Sequence, residues 1–277
     1  CPPRLLRRLR ARLSDLPLPV VLDSGYLTPF LGRGGFSFFS GIGSTERPDR
    51  AAAKICEGKA VILVNGSPFA LVVPWLFYEN FQSMDDYSAK AYFASFIRLL
   101  KYAAFFIAVL LPGAFVCAVG YTPELLPPEL LYKVAAAEKA TPLPLFLEAL
   151  VVNFLLEIVR EAGLRLPKQV GHSVSLVAAL IIGDAAIQAG LLGTPVVIVA
   201  ALTSICTFVV PSLYEPITML RLLFILAGGL LGPAGMVALF FWMLLDICRL
   251  NAFGLPFTAP LAPLQPHAAR PVEVRDG

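Results

Sequence analysis

The sequence is poor in the residues on which most soluble enzymes depend. Only 15% of its 277 residues are charged, and only His172 and His267 are histidines. A soluble domain normally carries about a quarter charged residues, and a histidine-based metal or catalytic centre needs several ligands close together. These shortages argue against a soluble enzyme, and we expect no catalytic residue, no metal and no cofactor.

Other expected signals are also missing. The five cysteines are scattered without a CxxC spacing, which gives neither a disulfide framework nor a zinc site. The glycine-rich run that begins at Gly32 lacks the Lys-Ser/Thr ending of a phosphate-binding loop. A net charge of only +3 suits a membrane surface better than nucleic acid, so we expect no nucleic-acid partner. The first residue is not Met, and we therefore expect a fragment that lacks an N-terminal part.

Hydrophobic residues are what the sequence has in excess. They make up 57% of the chain, and the mean hydropathy is +0.76. Residues 1–101 hold 13 Lys/Arg and 8 Asp/Glu, whereas residues 102–250 hold only 7 and 9. This contrast predicts a partial cytoplasmic soluble domain at 1–101, a transmembrane domain at 102–250 and a cytoplasmic tail at 251–277. The predicted fold class is a mainly α membrane protein, a polytopic helical domain behind part of a small α/β domain.

Three features organise the soluble part. Two β-rich runs in residues 59–73 flank Asn65-Gly66, a pair typical of tight hairpins. Residues 4–14 place four leucines on one helical face among arginines. That helix either lies on an anionic membrane surface or is the last helix of a truncated soluble domain. Residues 32–48, which are rich in Gly and Ser, are predicted to be a linker or irregular loop.

About six membrane segments are predicted, some of them short or broken. Pro112-Gly113 predicts a kink or break in the first segment, and Gly228-Gly229 and Gly232-Pro233 divide the last stretch into a pair of short spans. Seven span-proximal Lys/Arg lie on the side of the soluble domain and two on the other, which predicts cytoplasmic termini. The segments are 103–120, 145–159, 173–192, 195–210 and the pair within 217–245.

One segment carries a polar stripe. Ser173, Val177, Asp184 and Gln188 lie within about 60° of one another on a helix with 3.6 residues per turn. Ionisable groups inside a bilayer are costly and mark candidate functional sites. The stripe either lines a wet cavity or bonds to neighbouring helices.

Two further carboxylate patterns have alternative interpretations. Glu157 precedes Arg160 by three residues, which favours either an intrahelical ion pair near the membrane edge or a cation site at a pore mouth. Asp184 and Asp246 together would suit an intramembrane aspartyl protease. Asp246 is close to Arg249, where a salt bridge at the membrane interface is expected, and this disfavours the protease.

Several long motifs, in order, resemble the spore germinant receptor A-subunit family (GerA type). The resemblance runs from about residue 23 to residue 264. It rests on residues 44–49, 57–69, 81–87, 93–98, 157–168, 182–190 and 253–257.

The resemblance implies a receptor subunit in the inner membrane of bacterial endospores, with its soluble domain on the cytoplasmic, or core, side. Such A subunits are expected to act with B and C subunits and to self-associate into a ring in membrane lipid. That ring would be a nutrient-gated channel for monovalent cations. The candidate pore-lining residues are Ser173, Val174, Val177, Asp184 and Gln188, and the candidate pore-mouth charges are Glu157, Arg160, Arg165 and Lys168.

Alternative functions remain open from the sequence. A secondary transporter would also use broken helices and polar groups near the membrane midplane, although no inverted repeat is visible. A non-conducting scaffold subunit is the third possibility. An accessory paralogue of the same family would have much the same sequence pattern.

Overall fold

The structure is a computed structural model, and it describes residues 3–17, 20–32, 37–83, 90–165, 181 and 183–259. The chain forms two compact units. We call residues 1–99 with 242–277 the sheet unit, and residues 100–241 the helical unit. The described residues include these helices and strands: α1 Pro3–Ser14, α2 Thr28–Leu31, β1 Gly43–Thr45, α3 Pro48–Cys56, β2 Ala60–Leu63, β3 Ala70–Val73, α4 Ala91–Tyr121, α5 Pro128–Ala140, α6 Leu145–Arg165, α7 Thr194–Val209, α8 Tyr214–Leu230, α9 Gly232–Arg249, β4 Asn251–Ala252 and β5 Leu255–Pro256.

The predicted hairpin is part of a three-stranded antiparallel sheet, in which β3 is the central strand. β2 pairs with β3, and the connecting turn is closed by a 3.1 Å hydrogen bond from the Ser67 N–H to the Val64 carbonyl. Gly66 has a φ of +87°, which an L side chain resists. Asn65 has a negative φ, so the turn differs from the two-residue hairpin turn in which both central residues are left-handed.

The linker predicted at residues 32–48 is wrong in part, because β1 lies within it and pairs with β3. Gly43 is required there: a Cβ at this position would collide with the ring of Trp75. A strand of three residues is too short to show the alternating pattern that identifies a strand from sequence.

The arginine-rich helix α1 belongs to the core of the sheet unit. Leu5 and Leu9 are buried against Leu27, Leu31 and Val73. This arrangement supports the soluble-domain interpretation of residues 4–14, because the leucine face is already covered by protein.

Residues after α9 also fold into the sheet unit, although the sequence assigned them to a tail. β4 and β5 form a short hairpin, and Phe257 beyond it is only 1% exposed. Its ring packs against Phe39 and Phe77, and its carbonyl accepts a 2.9 Å bond from the Phe77 N–H. The expected salt bridge of Asp246 with Arg249 is wrong, since the Asp246 carboxylate accepts a 2.8 Å hydrogen bond from the Ser37 hydroxyl.

A buried charge cluster joins α3 to the segment after β3. Glu79 is fully buried, accepts a 2.9 Å bond from the Leu76 N–H and pairs with Lys54 at 2.6 Å and with Lys59. Burial alone would lower the pKa of Lys54, but the carboxylates of Glu79 and Glu57 raise it above its ordinary value. At Lys59 burial prevails over Glu79 and lowers the pKa.

The candidate membrane spans lie wholly or partly in the helical unit. Three helical stretches within the described ranges are long and apolar enough to cross a bilayer. They are α4, α9, and Pro211–Leu230, which consists of α8 and the three residues before it. α5 and α6 meet at a 79° bend and form either a broken span or a re-entrant loop. α7 is apolar but shorter. The described residues thus contain three candidate spans, or four if the bent pair counts as one. Most of the predicted segment 173–192 lies outside the described residues. The six membrane segments therefore stay a prediction.

Small residues allow α4 and α8 to approach closely. A Cβ on Gly228 would lie 2.5 Å from the Gly113 carbonyl oxygen, and a Cβ on Gly113 would collide with the Phe224 carbonyl. Close contact through glycine is typical of helices packed in membranes. α4 is continuous through Pro112, so the helix has no break there. α8 and α9 are separated only at Leu231, as the predicted pair of short spans requires.

The α4–α8 contact predicts different effects for two glycines of α4. Gly113→Ala should destabilise the protein by about 1–3 kcal/mol, because the added methyl overlaps the backbone of α8. Gly120→Ala should be neutral or stabilising by up to about 1 kcal/mol, because it meets nothing within 4 Å and favours helix. Thermal unfolding of the full-length protein in detergent measures both, and equal effects would contradict the close contact.

The Glu79 cluster predicts a large effect in the sheet unit. Glu79→Gln removes the carboxylate that Lys54 and Lys59 share, leaves Lys59 without a carboxylate partner among the described residues, and should cost about 3–5 kcal/mol of unfolding free energy. Asp49→Asn breaks the exposed pair with Arg47 and should cost less than about 1 kcal/mol. Denaturant unfolding compares the two variants, and a loss in Glu79→Gln as small as in the control would contradict the assigned role.

Candidate functional site

Helices α6 and α8 lie antiparallel in the helical unit. Phe146, near the start of α6, covers Gly229 near the end of α8, where a Cβ would collide with its ring. Glu157, in the second half of α6, accepts a hydrogen bond from the hydroxyl of Tyr214 at the start of α8. Residues from opposite ends of the two helices therefore meet.

Four residues at this contact form what we call the Glu157 cluster: Glu157, Arg160, Tyr214 and Arg221. Arg160 Nη1 lies 3.2 Å from Glu157 Oε1, and Arg221 Nη2 lies 3.9 Å from Glu157 Oε2. The Arg160 guanidinium also lies over the Tyr214 ring. One carboxylate thus connects two helices through two arginines and a phenol.

The spacing of the residues explains why they meet. Glu157 and Arg160 are three apart and adjoin on the surface of α6. Tyr214, Thr218 and Arg221 follow one another by four and then three residues, which places them on one face of α8. Tyr214 and Arg221, at the two ends of this set, both contact Glu157 of α6.

Two side chains of that face are buried and incompletely bonded. Arg221 is 3% exposed, and its Nε and Nη1 have no hydrogen-bond partner among the described residues. Thr218 is 5% exposed, and its hydroxyl lacks a partner in the same part of the chain. A buried donor without an acceptor costs about 1–3 kcal/mol, and more when it is charged.

Glu148 is a second buried carboxylate, near the start of α6. It is 1% exposed, and its Oε2 accepts a 3.0 Å bond from the N–H of Gly193, the residue that precedes α7. Gly193 has no side chain with which to cap its own helix, so a carboxylate from a neighbouring helix serves that role and complements the helix dipole. α6 and α7 therefore begin side by side.

Other polar groups of these helices bond within their own helix. The amide of Asn153 donates to the Ala149 carbonyl at 2.8 Å, and the Thr207 hydroxyl donates to the Thr203 carbonyl at 2.8 Å. Such bonds satisfy a side-chain donor without a neighbouring helix. The Glu157 cluster differs from them, because Tyr214 and Arg221 of α8 also contact Glu157 of α6.

The structure brings together some of the predicted site residues. Glu157 and Arg160 form the predicted intrahelical pair. Arg165 pairs instead with Glu161 at 2.8 Å on the surface. Asp184 and Gln188 are both exposed and are joined by a 2.7 Å hydrogen bond, as neighbours on one helical face. Lys168, Ser173, Val174 and Val177 lie outside the described residues, so the pore-lining stripe stays a prediction.

Sequence reasoning missed the α8 side of the cluster. Arg221 is one of the seven span-proximal Lys/Arg that predict the orientation, yet its side chain is buried inside the helical unit. The spacing of Tyr214, Thr218 and Arg221 was the available signal, since an arginine within an apolar helix calls for a partner. The other span-proximal charges still favour the same orientation.

The local charge limits what the Glu157 cluster can do. Two guanidinium groups surround one carboxylate, so Glu157 has no free charge with which to attract a cation in this arrangement. A role as a pore-mouth cation site therefore stays a prediction that this geometry disfavours. Within the described ranges no group of three or more His, Cys, Asp or Glu could hold a metal ion.

Comparisons with known proteins point to one family. The family model of the Bacillus/Clostridium GerA spore germination protein matches residues 1–276. The chain is 38% identical to spore germination protein KA of Bacillus subtilis (strain 168) over 95% of its length and 49% of that protein. It is 37% identical to spore germination protein GerLA of Bacillus cereus, covering 94% of this chain and 54% of GerLA.

A third relative is an uncharacterized membrane protein of Bacillus subtilis (strain 168), YfkQ, which is 34% identical over 99% of this chain and 54% of its own length. The chain therefore spans about half the length of these curated relatives. No solved structure matches the chain at a significant level.

The Glu157 cluster predicts unequal effects for two carboxylates of α6. Glu157→Gln leaves Arg160 and the buried Arg221 without their shared partner and should cost about 1–3 kcal/mol. Glu161→Gln breaks only an exposed pair with Arg165 and should cost about 0.5 kcal/mol or less. Thermal unfolding of the full-length protein in detergent compares them, and a larger loss in Glu161→Gln would refute the assignment.

Proposed function

Because the chain belongs to the Bacillus/Clostridium GerA spore germination protein family, we propose that it is the membrane-embedded A subunit of a germinant receptor. In this proposal it assembles into a ring that conducts monovalent cations when nutrient binds, and so starts germination. It acts with B and C subunits in the spore inner membrane, with the sheet unit on the cytoplasmic side. It catalyses no reaction and needs no cofactor.

The observation that carries this proposal is the enclosure of ionisable side chains by apolar helices. Glu148 and Arg221 are 1% and 3% exposed in a unit that contains the candidate spans. Charged residues at such positions are costly in a bilayer and are retained where they serve transport, gating or assembly. A passive apolar anchor would not require them.

Contacts within the sheet unit support an even number of membrane crossings. Phe77, before α4, binds Phe257, after α9, and Phe39 packs on the same ring. Segments that pack together must lie on one side of a membrane. The chain that leaves through α4 therefore returns through α9 to its starting side, as the predicted cytoplasmic location of both termini requires.

The proposed pore lies on the helix that the sequence predicts from Ser173 onward. Asp184 and Gln188 are exposed on the described part of this helix, where a carboxylate could attract cations. Val174 or Val177 would form an apolar constriction that gates by dewetting. Copies of the chain would supply the remaining walls by cyclic symmetry.

Flux measurements test the function. The full-length protein, reconstituted in liposomes with its B and C subunits, should pass K⁺ passively when a germinant is added. Asp184→Asn should reduce this flux severalfold without preventing assembly, because it removes the carboxylate proposed to attract cations. Asp49→Asn, an exposed change in the sheet unit, is the matched control.

Other outcomes would identify another function. Uptake coupled to an ion gradient would indicate a secondary transporter. No flux from a correctly assembled complex would indicate a non-conducting scaffold. Equal flux through Asp184→Asn and its control would place the pore elsewhere.

A further inference from the structure

Arg221 carries a charge that its surroundings do not balance. Glu157 is shared between Arg160 and Arg221, which leaves one positive charge unmatched in the Glu157 cluster. Glu161 also attracts Arg160, but it is paired with Arg165, so these three arginines and two glutamates together still have one positive charge in excess. An unmatched buried charge is costly, so it favours a bound counter-ion.

Within the described ranges, the guanidinium of Arg221 also lacks hydrogen-bond partners for some of its N–H groups. Nε and Nη1 have no hydrogen-bond partner among the described residues. Nη2 is 3.9 Å from Glu157, which is an ion-pair distance and too long for a hydrogen bond. The buried hydroxyl of Thr218, one turn earlier on the same face, also lacks a partner in that part of the chain. Donors from two neighbouring side chains are thus available for one acceptor.

Other described acids of the helical unit have different partners or lie on its surface. Glu148 accepts from Gly193, Asp184 from Gln188, and Glu161 from Arg165. Residues 166–180, which follow α6, contain no Asp or Glu. No described acid other than Glu157 lies within ion-pair distance of Arg221.

We propose that Arg221 and Thr218 form an internal binding site for a small free carboxylate anion. A planar guanidinium binds a carboxylate through paired N–H donors, and the Thr218 hydroxyl donates to the same oxygens. A singly charged carboxylate matches the one unmatched positive charge, whereas phosphate, with nearly two negative charges, would exceed it. The bound anion completes the contact between α6 and α8, whether or not the protein conducts ions.

Formate is the smallest probe of this site. The full-length protein in neutral detergent is unfolded thermally in sodium formate and in sodium chloride at the same ionic strength. Formate should raise the Tm above its value in chloride, and the increase should saturate, because a ligand that binds only the folded state stabilises it. Sodium phosphate should have a smaller effect than formate.

Variants assign the effect to the two residues. Arg221→Met should abolish the difference between formate and chloride, and Thr218→Val should raise the half-saturating formate concentration about tenfold. Arg47→Met, which removes an exposed arginine of the sheet unit, should leave the response unchanged. Thr218→Val keeps the shape of the side chain, so it decides the matter if Arg221→Met fails to fold.

Three results would overturn the proposal. The first is equal Tm values in formate and chloride for the unchanged protein. The second is an unchanged half-saturating concentration in Thr218→Val. The third is a phosphate effect as large as that of formate, which would mean that charge alone, without the shape of the carboxylate, governs binding.

Discussion

The helical unit depends on a single constraint: charge inside it must be shared between helices. Glu157 is held by Arg160 of its own helix and by Tyr214 and Arg221 of α8. Breaking this contact would leave the buried guanidinium of Arg221 without its carboxylate, which is costly. The cluster therefore fixes the register of α6 against α8. Glu148 fixes the position of α6 against α7 in a similar way, because its carboxylate accepts a hydrogen bond from the N–H of Gly193.

Glycine then determines how closely the remaining helices pack. With α8 held against α6, it also meets α4 at Gly113 and Gly228, where the backbones nearly touch. The Tyr121 hydroxyl, at the end of α4, donates to the carbonyls of Gly229 and Leu230 at the end of α8. A side-chain donor thus satisfies carbonyls that a helix end leaves without intrahelical partners.

The two units handle buried charge differently. In the sheet unit, Glu79 is surrounded by Lys54, Lys59 and the Leu76 N–H, and Glu57 adds a second carboxylate, so positive and negative charges are equal. In the helical unit, the Glu157 cluster has one arginine in excess. A balanced cluster suits a rigid domain. An unbalanced one leaves a buried guanidinium without a full complement of negative charge.

The sequence by itself determined the long apolar helices, the hairpin around Asn65-Gly66, the α8–α9 pair and the Glu157–Arg160 pair. Each depends on composition or on residues close together in the chain, where helix and turn geometry fix the distance. Only the tertiary structure decided that β1 completes the sheet, that Phe257 packs on Phe77, and that Arg221 meets Glu157. Those contacts join residues far apart in sequence. No local pattern encodes them, because they form only when helices and strands pack together and bury groups that need partners.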